Sequence, residues 1–226
     1  ASRPPSAVGG NVTANGTATL QLQGGLTVSG KSLTLTTGTA GGTLENLSGT
    51  NEWTGTVTMN VNKSSYVKVT GGALTLSGTL ALSGGGTSAS VANNGTGLLI
   101  NGTITGAGMG FTASGTGPVI ISGANTFGSS TVGLRVGTSS TVQITDETTY
   151  AAGDQTITHN GLGVGRVTFA ANTGTGSILQ LRANGQNNAT PQTLTYGNNV
   201  SISGASGVYG IIDVGRQGGT GTHKTL

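Results

Sequence analysis

The sequence contains, in direct succession, the segments Ala73-Leu74-Thr75-Leu76-Ser77-Gly78 and Thr79-Leu80-Ala81-Leu82-Ser83-Gly84. In both segments apolar residues alternate with small residues until a glycine ends the run. Alternation with a period of two turns one side of an extended strand inward and the other toward solvent. Both segments lie within residues 69–134, which contain no Asp, Glu, Lys, Arg or His. The stretch therefore predicts short β-strands and has almost no side chains for acid, base or metal chemistry.

The same alternation continues along most of the chain. Further apolar pairs two positions apart are Leu20/Leu22, Leu33/Leu35, Val57/Met59, Val67/Val69, Val142/Ile144, Leu179/Leu181 and Val200/Ile202. Helical spacing is nearly absent, and 44 of the 226 residues are glycine. Each glycine would cost a helix about 1 kcal/mol relative to alanine. We therefore expect an all-β protein.

The composition favours a narrow core that is repeated many times. Only 7% of the residues are charged and 4% are aromatic. Glycine- and serine-rich chains are often disordered, but the regular alternation argues against disorder here. Eight aromatic rings (3 Phe, 4 Tyr and 1 Trp) are too few to fill a wide globular core. Small groups of Val, Ile and Leu suit a β-solenoid, in which each coil buries its inner stripe against its neighbours.

The chain is expected to divide into two parts. Residues 1–16, which include Pro4 and Pro5, are predicted to be an extended N-terminal segment that serves as a linker or donates a strand to a neighbour. Residues 17–226 are predicted to form the solenoid. An apolar-Ser-Gly step recurs at spacings near multiples of twenty, so we expect about 11 coils of roughly 20 residues each.

Two copies of the apolar-Ser-Gly step extend into a longer motif. They are Leu47-Ser48-Gly49-Thr50-Asn51-Glu52-Trp53-Thr54-Gly55 and Ile121-Ser122-Gly123-Ala124-Asn125-Thr126-Phe127-Gly128. This pattern resembles the passenger-associated strand repeat of autotransporter proteins, and the first copy fits it better than the second. The resemblance implies a right-handed parallel β-helix on a secreted or surface-displayed bacterial protein.

The residues of this motif have a structural interpretation that does not depend on the family. Asparagine at a corner can bond backbone groups of its own and adjacent coils, while the aromatic residue packs inside. We assign this structural role to the repeat-motif residues Gly49, Asn51, Trp53, Gly55, Gly123, Asn125 and Phe127. The alternative is that Trp53 is an exposed platform on which a sugar stacks.

Charge and motif content exclude several functional classes. The net charge is +3, but the nine Lys and Arg residues are spread along the chain without clusters, so we expect no nucleic-acid binding. Cysteine is absent, and no run approaches the 18 apolar residues of a membrane helix. We therefore expect no membrane insertion, and we find no residues to assign to catalysis, a cofactor or a metal.

The primary prediction is a non-catalytic, extracellular structural module of a bacterial surface protein or filament. Its expected partners are other copies of itself, or flanking repeats of a larger chain, which stack end to end by strand pairing. One alternative is an adhesin that binds glycans or a host surface along one face, and this alternative would be removed if Trp53, Tyr66, Tyr150 and Tyr196 were all buried.

A second alternative is a carbohydrate-active β-helix enzyme. It would be centred on Asp146, Asp154 and His159, which lie close in sequence to Glu147 and Arg166. The competing interpretation is that these are solvated loop charges.

Overall fold

The computed structural model describes residues 10–36, 41–87, 89–145, 156–170, 176–183, 193–202 and 209–215, and every structural statement below concerns these residues. They form 23 short β-strands and no helix. All of the strand pairs are parallel. The all-β prediction is confirmed.

The strands form three long sheets. Sheet A has the order β1 (Val12–Asn15), β4 (Leu33–Thr36), β7 (Val57–Asn60), β10 (Leu80–Ser83) and β13 (Ile104–Thr105). Sheet B has the order β2 (Thr19–Leu22), β5 (Thr43–Asn46), β8 (Tyr66–Val69), β11 (Ala89–Asn93), β14 (Phe111–Ser114), β16 (Leu134–Val136), β19 (Val167–Phe169) and β22 (Val200–Ile202). Sheet C has the order β3 (Thr27–Val28), β6 (Thr50–Trp53), β9 (Ala73–Leu76), β12 (Gly97–Ile100), β15 (Val119–Ile121), β17 (Thr141–Ile144), β20 (Ser177–Leu181) and β23 (Gly210–Val214). A separate pair joins β18 (Thr156–Thr158) to β21 (Thr193–Thr195).

This strand order is that of a parallel β-solenoid, as predicted. From β1 to β15 the chain visits sheets A, B and C in turn, which gives five complete coils of three strands. Sheets B and C then continue to eight strands each, whereas sheet A stops at β13. The predicted 11 coils are therefore wrong.

The predicted coil length is also too short. Leu33 is in register with Val57, and Val57 is in register with Leu80, so each of these coils is a few residues longer than expected. Between β16 and β19 the coil is longer still, because Arg135 is in register with Thr168. The apolar-Ser-Gly step occurs at different corners of the solenoid, so the distance along the chain between two copies of the step does not equal the length of a coil.

The core is a narrow stack of aliphatic side chains. In sheet B, Leu44, Val67 and Val91 are in register and fully buried. In sheet C, Trp53 begins a buried column that continues through Leu76 and Ile100. Every second residue of a strand enters such a column, which explains the two-residue period of the sequence.

Glycine lets the coils approach one another closely at two corners. After sheet C, a Cβ atom added at Gly78 would overlap the carbonyl oxygen of Gly55, and one added at Gly102 would overlap that of Gly78. Between sheets B and C, Gly72 and Gly95 form the same kind of column. Much of the unusual glycine content of this region is therefore required by stacked corners that leave no space for a side chain.

The solenoid already includes part of the predicted N-terminal segment 1–16. β1 is extended and pairs with β4 of its own chain. Residues 1–9, with both prolines, lie outside the described residues.

Candidate functional site

The first repeat motif forms a buried hydrogen-bond network at the corner between β5 and β6. Asn51 is 1% exposed, and its Oδ1 accepts a hydrogen bond from the backbone N–H of Leu26, in the preceding coil, at 2.6 Å. Its Nδ2 donates to Asn46 Oδ1 at 2.6 Å and to the carbonyl oxygen of Ser48 at 2.8 Å. Gly49 has a φ of +77°, in the left-handed region that glycine adopts most readily. The side chain of Asn51 thus joins two coils and closes its own corner.

The second repeat motif builds an equivalent network on a different side of the solenoid. Asn125 is 1% exposed and follows β15. Its Oδ1 accepts from the backbone N–H of Ile104, in the preceding coil, at 2.6 Å, and its Nδ2 donates to the carbonyl oxygen of Gly161 at 2.8 Å. Gly123 has a φ of +101°. In both copies, the asparagine of the motif therefore bonds a corner to the preceding coil, and the two corners lie on different sides of the solenoid.

Two further asparagines take part in bonds between coils and were missed from the sequence. Asn46 donates from Nδ2 to the carbonyl oxygen of Gly71, in the next coil, at 2.7 Å. Asn93 donates to the carbonyl oxygen of Pro118 at 2.6 Å. Both are fully buried and each is the last residue of a strand in sheet B. The sequence signal for these two residues is an asparagine that ends a run of alternating residues.

The aromatic residues of the repeat motif are inside the solenoid. Trp53 is 1% exposed and Phe127 is fully buried. The Phe127 ring lies 5.2 Å from that of Phe111 at an interplanar angle of 48°. A Cβ atom added at Gly55, the last residue of the first motif, would overlap the carbonyl oxygen of Lys31. Trp53 is therefore not available as an exposed platform for a sugar.

The described end of the solenoid at β22 and β23 leaves core-facing side chains open. Ile202, Ile212 and Val214 are 53%, 43% and 43% exposed. Their partners one coil earlier are Phe169, Leu179 and Leu181, which are 1%, 1% and 9% exposed. The side chains of the last described coil thus point into the core column, but no described strand covers them.

At the opposite end, β1, β2 and β3 each pair with one strand only among the described residues. Leu20 of β2 is partly buried against the core, and Leu26, next to β3, is 48% exposed. Among the described residues, both ends therefore combine strand edges that are paired on one side only with an apolar interior. Such a surface is suited to pairing with a further coil.

The outer face of sheet B carries a continuous column of mostly hydroxyl-bearing side chains. In register, the column consists of Thr19, Thr43, Tyr66, Ser90, Thr112, Arg135, Thr168 and Ser201. Tyr66 is 41% exposed, whereas Tyr196 is partly buried and packs against the core. Tyr150 lies outside the described residues. Of the four aromatic residues named for the adhesin alternative, Tyr66 is thus the one that the structure places on the surface.

An acidic side chain is held by three partners beside this column. Thr70 Oγ1 and Lys68 Nζ donate to Glu45 Oε1 at 2.6 and 2.9 Å, and Gln21 Nε2 donates to Oε2 at 2.9 Å. The hydrogen bonds from Thr70, Gln21 and Lys68 lower the pKa of the Glu45 carboxyl to about 2. All three of these hydrogen bonds join Glu45 to neighbouring coils.

The structure describes only part of the candidate enzyme site. Asp146, Glu147 and Asp154 lie outside the described residues. His159 is 1% exposed, its Nδ1 accepts from the backbone N–H of Gly161 at 3.1 Å, and its ring stacks on Tyr196 at 4.8 Å. Within the described residues, no three His, Asp or Glu side chains come together.

No helix long and apolar enough to cross a membrane occurs in the described part of the chain. Comparison with known proteins adds no relative. The sequence matches no family model and no curated protein, and no solved structure matches the fold.

Proposed function

We propose that this chain is a non-catalytic structural module of an extracellular bacterial surface protein or filament, in which solenoids stack end to end through β-strand pairing. We further propose that the solenoid is a right-handed β-helix. It is supported by the strong preference of parallel crossover connections for the right hand. The resemblance of the repeat motif to autotransporter passenger strands supports the same hand and a location at the cell surface.

The observation that carries the proposal is the open core at β22 and β23. The side chains of Ile202, Ile212 and Val214 follow the buried columns in register, yet each is about half exposed. Apolar area gains roughly 25 cal/mol for each Å² that is removed from water. A further coil placed on this end would bury these side chains and give β22 and β23 a second pairing strand each.

A second copy of the chain is the occupant that fits best. Its first coil offers the edges of β2 and β3, which belong to the same two sheets as β22 and β23. Head-to-tail stacking would continue sheets B and C without reversing strand direction. Such heterologous contacts do not close on themselves, so the expected product is a filament or a short rod of several copies.

The edge strand β23 is firmly attached to its own chain. Arg182 Nη1 donates to Asp213 Oδ1 and to the carbonyl oxygen of Asp213, both at 3.2 Å, and the two side chains also form an ion pair through Nη2. This attachment holds β23 in place as a template for the incoming strand.

The test is Ile212→Lys, which places a charge in the open core at the end. Val164→Lys is the matched control, because Val164 is 61% exposed and lies before β19, outside the open core columns. We expect electron micrographs of the unmodified chain and of the control to show filaments or rods that lengthen with concentration, and Ile212→Lys to give single rods. Single rods of the unmodified chain at high concentration would refute the proposal. Single rods are also expected if the next coil belongs to a longer natural chain, and that outcome would likewise refute assembly between copies.

A further inference from the structure

A small groove lies on the outer face of sheet B, where β14, β16 and β19 run side by side. It has a volume of about 200 Å³ and is lined by both apolar and polar residues. The polar lining residues are Thr87, Thr112, Thr131, Arg135, Arg166 and Thr168. Of the described residues that line it, two carry a positive charge and none carries a carboxylate.

Strand register brings one arginine between two threonines. Arg135 is in register with Thr112 on one side and with Thr168 on the other. Neighbouring strands lie about 4.8 Å apart, so both hydroxyls are within reach of a ligand that the guanidinium group holds. Leu134 and Val136 are buried, which turns the side chain of Arg135 outward.

The second arginine enters the groove from the start of β19. Arg166 lies beside Gly133, since a Cβ atom added at Gly133 would overlap the carbonyl oxygen of Arg166. Its Nε atom is buried and has no hydrogen-bond partner. A buried donor without a partner costs free energy, so an acceptor that reached this Nε would stabilise the chain.

Neither guanidinium group is committed to the fold. In the described part of the chain the two ion pairs are Lys68–Glu45 and Arg182–Asp213, and neither involves the groove. Arg135 and Arg166 make no side-chain hydrogen bond with described residues. This contrasts with Arg182, whose side chain joins two coils through Asp213. Structural roles therefore account for Arg182 but not for the two arginines of the groove.

We propose that this groove binds the carboxylate of an acidic sugar. Guanidinium groups present forked donors that match a carboxylate, and Thr112, Thr131 and Thr168 supply hydroxyls for the ring of a sugar. The volume is below that of ordinary cavities for drug-sized ligands, which fits a single sugar ring at the surface. The binding site does not depend on end-to-end stacking, because it lies on the side of the solenoid.

The test is a titration with sodium glucuronate, followed by ¹⁵N chemical shifts of the Arg135 and Arg166 side chains and of the Thr112 and Thr168 amides. We expect saturable shifts with a Kd below about 10 mM, no saturable shifts with glucose, and a Kd at least about tenfold higher in Arg135→Gln. Lys63→Gln removes the same charge from an exposed turn and should leave the Kd unchanged.

Folding is checked by the unfolding temperature of each variant. Arg135 is exposed, so Arg135→Gln is expected to unfold at the temperature of the unmodified chain. Equal affinity for inorganic sulfate and glucuronate would overturn the sugar assignment. Absence of saturable shifts with glucuronate, or equal loss of affinity in Lys63→Gln, would overturn the site.

Discussion

Replacing Asn51 with alanine removes three hydrogen bonds at one corner. Asn51 Oδ1 accepts from the N–H of Leu26, and its Nδ2 donates to Asn46 Oδ1 and to the carbonyl oxygen of Ser48. Leu26 and Ser48 are exposed residues, so their backbone groups can turn to water after the substitution. Asn46 is fully buried, so its amide oxygen cannot.

The expected loss of stability follows from these partners. An unsatisfied buried acceptor costs about 1–3 kcal/mol, and each of the other two bonds contributes about 1 kcal/mol net. We therefore expect Asn51→Ala to lower the free energy of unfolding by about 3–5 kcal/mol. For a chain of this size, that corresponds to a fall in Tm of roughly 10 °C.

The matched control is Asn94→Ala. Asn94 also bonds to the adjacent coil, since its Oδ1 accepts from the N–H of Thr116 at 3.2 Å, but the residue is exposed. Asn94→Ala should lower the free energy of unfolding by less than about 1 kcal/mol, because water replaces the lost hydrogen bond.

Thermal unfolding by circular dichroism compares the two variants, and amide hydrogen exchange reports on Leu26 directly. We expect the Leu26 amide to lose protection in Asn51→Ala and to keep it in Asn94→Ala. Equal Tm values for the two variants, with unchanged exchange at Leu26, would show that Asn51 does not join the coils.

Three further predictions concern the stacked coils. Gly78→Ala should lower the free energy of unfolding by about 1–3 kcal/mol, because its Cβ would overlap the carbonyl oxygen of Gly55. Gly97→Ala is the control and should be neutral or slightly stabilising, because nothing lies within 4 Å of the added atom. Equal unfolding temperatures for the two variants would contradict the glycine column. Glu45→Gln should reduce stability by about 1 kcal/mol at pH 7, since Lys68 is 42% exposed and the interaction is screened. The pKa of Glu45 is lowered from 4.5 to about 2, so the folded state binds fewer protons than the unfolded state between these values, and the stabilisation is complete above pH 4.5 and lost as the pH falls to 2. Urea unfolding across this range should show the two proteins converging, and a difference that persists at pH 2 would assign the effect to packing. Trp53→Ala should lower the free energy of unfolding by about 3–5 kcal/mol, because it opens a cavity in the core. Tyr66→Ala should lower it much less, because Tyr66 is exposed. Thermal unfolding of both variants measures the difference.

The sequence predicts the strand content and the parallel solenoid because both depend on local alternation. Leu74 and Leu76 alternate with small residues, and both are buried where the period of two places them. Coil length depends instead on how many corner residues separate the strands. The apolar-Ser-Gly step occurs at more than one kind of corner, as Gly49 and Gly78 show, so it could not distinguish a corner from a coil.

The groove on sheet B could not be found from the sequence. Arg135 and Arg166 are widely separated along the chain, and they meet only because the coil between β16 and β19 is longer than the preceding ones. Sequence inspection placed Arg166 with Asp154 and His159, its neighbours along the chain. The structure places Arg166 beside Gly133, in the adjacent coil, while Asp154 lies outside the described residues.

The column of Gly55, Gly78 and Gly102 has a consequence for folding accuracy. A slip of one residue between neighbouring coils would turn the apolar side chains of a strand from the core to solvent, and the glycine column opposes the same error independently. Each glycine of the column is flanked on both sides by a residue with a side chain, such as Ser77 and Thr79 around Gly78. A one-residue slip would place a Cβ atom against the carbonyl oxygen of the neighbouring coil. The glycines thus disfavour a mispaired coil in addition to the alternation of the strands.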